Sequence, residues 1–217
     1  MNKVSQEKLA TRKKSLSWLY RLLDNPYIYS LNQKIGAPTK RRHFQALRHS
    51  MTDTKGKRIL EIACGVGDET YREADLYCGT DLNHRSVAFA ARSNNELYAA
   101  MDCTRLGFAD DSFDHVISIA TMHHLCDAEV TAMVSESLRV CQPGGSVHIV
   151  DNIFPISPIK SFKKFWFSID RGRHPRSLED LAAAIGNKDI VTVGEVITGP
   201  LHDVVFFRLT SHEACNP

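Results

Sequence analysis

Arg58-Ile59-Leu60-Glu61-Ile62-Ala63-Cys64-Gly65-Val66-Gly67 is the stretch whose reading decides the fold. The apolar run from Ile59 to Ala63 has the length and composition of a buried strand. It stops at a loop of small residues whose glycines let the backbone approach a ligand closely. A strand, a Gly-x-Gly turn and a helix in succession leave unpaired N–H groups at the carboxyl end of the strand, the usual position of a nucleotide-type site in an open α/β sheet. Taken alone the turn is weak evidence, because Gly-rich loops occur in many folds. An acid at the right distance strengthens it. Asp81 closes a second short run, Leu76-Tyr77-Cys78-Gly79-Thr80-Asp81, where a strand-end carboxylate can accept hydrogen bonds from both hydroxyls of a ribose.

Working outward, the alternation continues. Asn83 reads as the N-cap of a helix from His84 to Ser93, Glu96 to Met101 as a third strand ending in Asp102, and His115 to Ala120 as a fourth followed by His123 and His124. Asp127 to Val140 has the spacing of a helix stopped by Pro143-Gly144-Gly145, Ser146 to Val150 reads as a fifth strand, and Asp68 to Ala74 as a short helix after the glycine turn. Strands alternating with helices at this spacing mean βαβ units and a parallel sheet covered on both faces. The tail departs from the pattern. Ser157-Pro158 opens a helix carrying Phe162, Phe165 and Trp166, Ser177 to Asp180 resembles a capping box for a helix ending at Gly186, and two strand-like runs, 190–193 and 204–209, close the chain.

A chain of 217 residues, 43% hydrophobic and 24% charged, has room for one domain with a substantial core. No signal-peptide pattern or run of roughly 20 apolar residues appears, so a cytoplasmic protein is expected. The six cysteines include no C-x-x-C pair, which argues for free thiols and against a zinc site or a disulfide framework. The net charge of +2 conceals an asymmetry: residues 1–58 carry fourteen Lys/Arg against three acids, a net of +11, and the rest of the chain is −9. Such a leader can steer an anionic substrate, a carrier or a membrane surface, or can be a solvated basic helix with no partner.

The order of motifs resembles the class I S-adenosylmethionine-dependent methyltransferases, within them the small-molecule group that includes ubiquinone and menaquinone methyltransferases. The resemblance runs from about residue 55 to 152. It rests on Leu60–Gly67, Gly79-Thr80-Asp81-Leu82, Asp102 with Leu106-Gly107-Phe108, Ser112–Val116, His123-His124-Leu125 and Leu138–Gly145. Each motif is degenerate, and their joint order is specific. The resemblance implies an α/β, Rossmann-like doubly wound sheet, mostly parallel with an antiparallel last strand and helices on both faces. The partly helical spacing of Leu9, Leu16, Leu19, Leu22 and Leu23 and the segments up to Met51 read as a helical N-terminal extension or lid over residues 1–54, which leaves a methyltransferase domain over 55–217 with an acceptor-side insertion at about 153–186.

The resemblance further implies S-adenosylmethionine as cofactor, with S-adenosylhomocysteine as product. Glu61, Ala63, Cys64, Gly65 and Gly67 would surround its amino-acid end, Asp81 would take the ribose hydroxyls and Leu82 would pack on the adenine. Asp102 would meet the exocyclic amine, Cys103 would offer its backbone N–H to the ring, and Ala120 would lie near the methionine portion. Ala63 is a departure, since glycine is the family's most frequent residue there. Asp81 and Asp102 also have a plainer reading, as caps of the turns that follow them. No metal is expected.

Methyl transfer from a sulfonium is an in-line displacement that needs alignment and exclusion of water, with a general base for some oxygen or carbon acceptors. His123 or His124 is a candidate for that base, or the pair is a packing element of the corner; His174 is a further candidate. The acceptor is expected to be a small molecule. Apolar and aromatic residues at Phe154, Ile156, Phe162, Phe165, Trp166 and Phe167 suggest a hydrophobic or aromatic one. The chain lacks the Asn/Asp-Pro-Pro-aromatic motif of base methylation, which disfavours nucleic acid, although the basic leader leaves a nucleic-acid or protein substrate as an alternative. A domain that binds the cofactor without transferring methyl is another, because binding motifs and transfer chemistry are separable.

Overall fold

The computed structural model describes Leu47, Met51 and residues 54–67, 71, 73–154, 174–186, 191–198 and 203–210. The elements are β1 (Arg58–Ile62), β2 (Leu76–Asp81), α1 (His84–Ser93), β3 (Leu97–Ala100), β4 (Phe113–Ile119), a 3-10 turn (Met122–His124), α2 (Asp127–Val140), β5 (Cys141–Ile153), α3 (Leu178–Ile185), β6 (Val191–Thr198) and β7 (Asp203–Thr210). The strands form one sheet in the order β3-β2-β1-β4-β5-β7-β6. The first five are mutually parallel, and β7 runs antiparallel between β5 and β6. This is the expected doubly wound sheet with an antiparallel closing strand. The strand order reverses between β1 and β4, so the carboxyl ends of β1, β2 and β4 open onto the switch point where such sheets bind ligands.

Period-2 alternation sorts the core into two layers. Leu60, Ile62, Val116, Val147 and Ile149 point to one face, under Val130, Met133 and Val134 of α2 and Leu181 and Ile185 of α3. Ile59, Tyr77, Ile117 and Val150 point to the other, where Leu47, Met51 and Tyr71 cover them. Leu47 and Met51, from the N-terminal segment, are therefore part of this core.

Local chemistry explains the helix ends. Asn83 caps α1 through its side-chain oxygen, which accepts the Arg85 N–H at 3.0 Å. Ser177 and Asp180 form the anticipated capping box of α3, and Gly186 ends it at φ 83°.

Two local expectations change. Pro143-Gly144-Gly145 does not separate helix from strand: α2 ends at Val140 and β5 begins at once, with these residues bulging out of register between the pairs Phe113–Cys141 and His115–Ser146. Gly145 is required there, because a Cβ would lie 2.6 Å from the Asp114 carbonyl oxygen. Of the short helix expected over 68–74, Tyr71 is not helical and Glu73–Asp75 form a turn and bends leading into β2; its other residues, and the expected helix after Ser157, lie outside the described residues.

Candidate functional site

Beyond Ile62 the chain turns through three left-handed residues, Ala63 (φ 56°), Gly65 (φ 58°) and Gly67 (φ 70°). The loop is fastened to β2: Cys64 N–H donates to the Thr80 carbonyl at 2.9 Å, and Gly65 N–H donates to Asp81 Oδ2 at 2.9 Å. Asn94, at the end of α1, donates from its side-chain amide to the Gly67 carbonyl at 3.1 Å. Gly67 and Gly79 both make room for one ring. A Cβ on Gly67 would stand 2.6 Å from Tyr98 Oη, and one on Gly79 would stand 2.7 Å from the Tyr98 ring and 2.9 Å from Cys64 Sγ. Tyr98 on β3 thus crosses β2 to support the loop from below. The signal for it was Gly79, a glycine inside an otherwise apolar strand.

Glu61 lies under this loop, not at its open side. It is 6% exposed, and its carboxylate accepts the Tyr77 hydroxyl. Burial first, then the charges of Glu61 and Asp81, raise the Cys64 thiol well above its ordinary value, which keeps that sulfur protonated and inert.

Asp81 and Asp102 are brought side by side at the ends of adjacent strands, because Met101 N–H donates to the Asp81 carbonyl at 3.0 Å. Asp81 spends one oxygen on Gly65 and the other on Asn83 N–H, at 2.7 Å, so it does cap the turn into α1. Asp102 is exposed, and its Oδ1 takes both the N–H and the hydroxyl of Thr104, at 2.8 and 2.7 Å; those bonds hold its carboxyl below the usual range. Leu82, beside them, is 75% exposed, an uncommon position for a leucine at a strand end. Cys103 is half-buried against the apolar core, where burial and the neighbouring Asp102 push its thiol up to about 11.

The end of β4 forms the third wall. Ala120 is exposed, has φ 55°, and donates its N–H to the Val150 carbonyl at 2.7 Å. Asp151, on β5, accepts the Thr121 and Met122 N–H groups on Oδ2, while its Oδ1 faces His123 Nδ1 at 2.6 Å. Sequence patterns separate poorly the two histidines that the structure treats differently. His123 is buried on Asp151, and His124 is exposed, with the ring centroids 4.1 Å apart. His174 joins them through its N–H, which donates to the His123 carbonyl at 2.9 Å.

Two residues here were missed. Asp151 had a signal, an acid directly after the apolar run that reads as the fifth strand, Ser146 to Val150. Arg176 had none: its guanidinium reaches the carbonyls of Met122 and Leu125 at 2.8 and 2.7 Å, contacts that exist only in the folded chain.

The donor set fits a particular kind of ligand. Two adjacent carboxylates suit a partner rich in hydroxyl and amine hydrogens, and Leu82 offers an apolar face next to them. A hydroxylated nucleoside without phosphates, joined to a cationic group, matches that chemistry better than a dinucleotide does. The strand order, five parallel strands with β7 inserted antiparallel between β5 and β6, is that of a doubly wound, Rossmann-like sheet. Residues 60–149 match the family described as a methyltransferase domain.

Among similar proteins, a phthiotriol/phenolphthiotriol dimycocerosates methyltransferase of Mycobacterium ulcerans is 30% identical over 146 residues, 63% of this chain and 52% of that one. A fatty-acid O-methyltransferase of Mycolicibacterium smegmatis is 32% identical over 136 residues, 55% of this chain and 48% of that one. In structure, magnesium protoporphyrin IX methyltransferase from Synechocystis PCC 6803, with bound S-adenosylhomocysteine, superposes with a TM-score of 0.61 at 15% identity, covering 81% of this chain and 84% of that one. Over residues 60–149 the chain is similar to methyltransferase domains, and its fold is that of the methyltransferase structure it superposes on. It spans about half the length of the curated relatives it matches.

Proposed function

We propose that this protein transfers a methyl group from S-adenosylmethionine to an oxygen, nitrogen or carbon atom of a small hydrophobic acceptor. The observation that carries the reading is the pair Asp81 and Asp102, set side by side at the switch point within a matched methyltransferase segment. When bound, the cofactor supplies a methyl group made electrophilic by a positively charged sulfur.

In this reading Asp81 accepts the ribose hydroxyls on lone pairs left beside Gly65 and Asn83, and Asp102 accepts the adenine amine on Oδ2. Leu82 covers one face of the base, and Cys103 contributes its backbone N–H. Ala63, Cys64, Gly65 and Gly67 surround the amino-acid end, supported from below by Glu61, and Ala120 leaves room beside the methionine portion. The histidines take different parts. His123, fixed on Asp151, shapes the corner, and the exposed His124 is the one that can take a proton from an acceptor.

The preference for a hydrophobic acceptor draws support from relatives named for fatty-acid and dimycocerosate substrates. Residues 55–217 act as the catalytic domain, with 1–54 as an extension that makes any peripheral membrane contact through its basic charge. No helix among the described residues is long and apolar enough to cross a membrane, and a cytoplasmic location goes with this reading.

The test is calorimetric titration with S-adenosylmethionine and S-adenosylhomocysteine, followed by a screen for transfer of labelled methyl to oleic acid, a demethylmenaquinone and phosphatidylethanolamine vesicles. Micromolar binding, weakened about tenfold by Asp102→Ala, a loss of about 1.4 kcal/mol, is expected. A chain that binds neither ligand is not this enzyme. One that binds both but methylates no acceptor class favours a cofactor-binding domain without transfer.

A further inference from the structure

The turn from Thr121 to Leu125 is held at both ends by side chains far away in sequence. Asp151 receives its first two N–H groups, from Thr121 and Met122. Arg176 donates to two of its carbonyls, Met122 at 2.8 Å and Leu125 at 2.7 Å, and closes onto Asp127 at 2.8 Å. The carboxylate takes two N–H groups that a three-residue 3-10 helix leaves unpaired at its start, while the guanidinium takes the Leu125 carbonyl and adds a second donor to the Met122 carbonyl, which already accepts the Leu125 N–H at 3.0 Å. Both side chains are buried, Asp151 at 1% exposure and Arg176 at 6%.

The grip extends across three elements. Phe154 N–H donates to the Arg176 carbonyl at 2.8 Å, and His174 N–H donates to that of His123 at 2.9 Å, so the segment before α3 is stitched to the ends of both β4 and β5. The turn begins beside Ala120, whose left-handed backbone needs surroundings that hold it. Resting on the function proposed above, we infer that Asp151 and Arg176 are positioning residues of the methyl-donor site: together they fix the turn that carries His123 and His124 and so set the wall at the end of β4.

Asp151 also sets a proton. A carboxylate only accepts hydrogen bonds, so His123 donates to it from Nδ1. In Asp151→Asn the amide oxygen can serve the Thr121 and Met122 N–H groups only by turning its NH2 toward His123. That arrangement requires Nδ1 to accept, moves the ring proton to Nε2, and sets the NH2 against the Asn152 N–H now bonded to Oδ1 at 2.7 Å. Arg176→Lys keeps the charge but gives up the fork that spans two carbonyls.

The experiment pairs calorimetric titration with S-adenosylhomocysteine and 15N NMR of the imidazoles, on the full chain. The wild type is expected to show His123 protonated at Nδ1. Asp151→Asn is expected to show it at Nε2 with affinity about tenfold weaker, and Arg176→Lys to keep the Nδ1 proton with a similar loss. Ser146→Ala, which disturbs a buried hydrogen bond toward the opposite end of β5, is the control and should bind as the wild type does.

Folded variants of Asp151 and Arg176 that bind as tightly as the wild type overturn the inference and leave the proposed function intact. So does an equal loss in Ser146→Ala, which would mark general loosening, or a His123 tautomer that ignores Asp151→Asn. If Asp151→Asn does not fold, the affinity of Arg176→Lys decides. A wild type that binds no S-adenosylhomocysteine overturns the proposed function itself, and this inference with it.

Discussion

Asp81 closes the glycine turn onto the second strand: its Oδ2 accepts the Gly65 N–H at 2.9 Å while its Oδ1 accepts that of Asn83 at 2.7 Å. One carboxylate therefore shapes the loop and starts α1 before any ligand arrives. The turn-capping and ligand-binding interpretations of this residue are compatible, since each oxygen has a second lone pair.

Asp81→Asn separates the two roles. An amide has one accepting atom where the carboxylate has two, so one backbone N–H is left facing an NH2 group. The ligand-free protein should lose about 0.5–1.5 kcal/mol, the net worth of one hydrogen bond, because the Gly65 N–H is half-buried and the Asn83 N–H is exposed to water. Chemical denaturation without cofactor checks this; unchanged stability would mean that the loop does not depend on Asp81.

Ala63 invites the opposite change. At φ 56° a Cβ is strained, and glycine relieves the strain at some cost in unfolded-state entropy. Ala63→Gly should stabilise the protein by about 0.5–1 kcal/mol, or raise the melting temperature by roughly 1–4 °C. Thermal unfolding reads it directly, and a lower melting temperature would contradict the strain argument. The geometry also explains why the family so often has glycine here, which the sequence alone presented only as a departure.

Arg139 illustrates a motif residue whose part is structural. From α2 it donates to the carbonyls of Leu106 at 3.0 Å and Phe108 at 2.9 Å and pairs with Glu136 and Asp110. It anchors the loop that follows Asp102. Arg139→Ala should cost about 1–3 kcal/mol through the backbone bonds more than the exposed ion pair with Asp110. Asp110→Ala should cost under about 1 kcal/mol, and a double-mutant cycle between the two distinguishes the contributions.

What the sequence made legible was whatever is encoded locally. The caps Asn83 and Ser177 and the stop at Gly186 define their helices by contacts within a few residues, and alternation of apolar runs implied the parallel sheet. The positions of Asp81 and Asp102 followed from strand ends. The unread features depend on long-range partners. Pro143-Gly144-Gly145 carries strong turn chemistry, yet pairing with β4 drew it into β5 as a bulge. His123 and His124 are adjacent and chemically identical, and only Asp151, 28 positions away, separates the buried one from the exposed one. Arg176 belongs to a basic stretch whose charges could all have been solvated.

A last consequence concerns acid. On the face away from α2, His148 is fully buried, its Nε2 2.7 Å from Ser146 Oγ, which also lies 2.9 Å from His115 Nδ1. Burial first, then His115 and Arg208, push the His148 imidazole down to about 3. Because the folded value is depressed below the unfolded value of about 6.5, the native state favours the neutral ring. That stability is fully present above pH 6.5 and is lost as pH falls toward 3, when the unfolded chain binds a proton the folded chain refuses. The slope contributed by this one group approaches about 1.4 kcal/mol per pH unit across the window. His148→Gln keeps a hydrogen-bonding side chain without the titration, so denaturation midpoints measured from pH 7 to 4 should fall less steeply for the variant. Parallel curves would assign the acid sensitivity to groups other than His148.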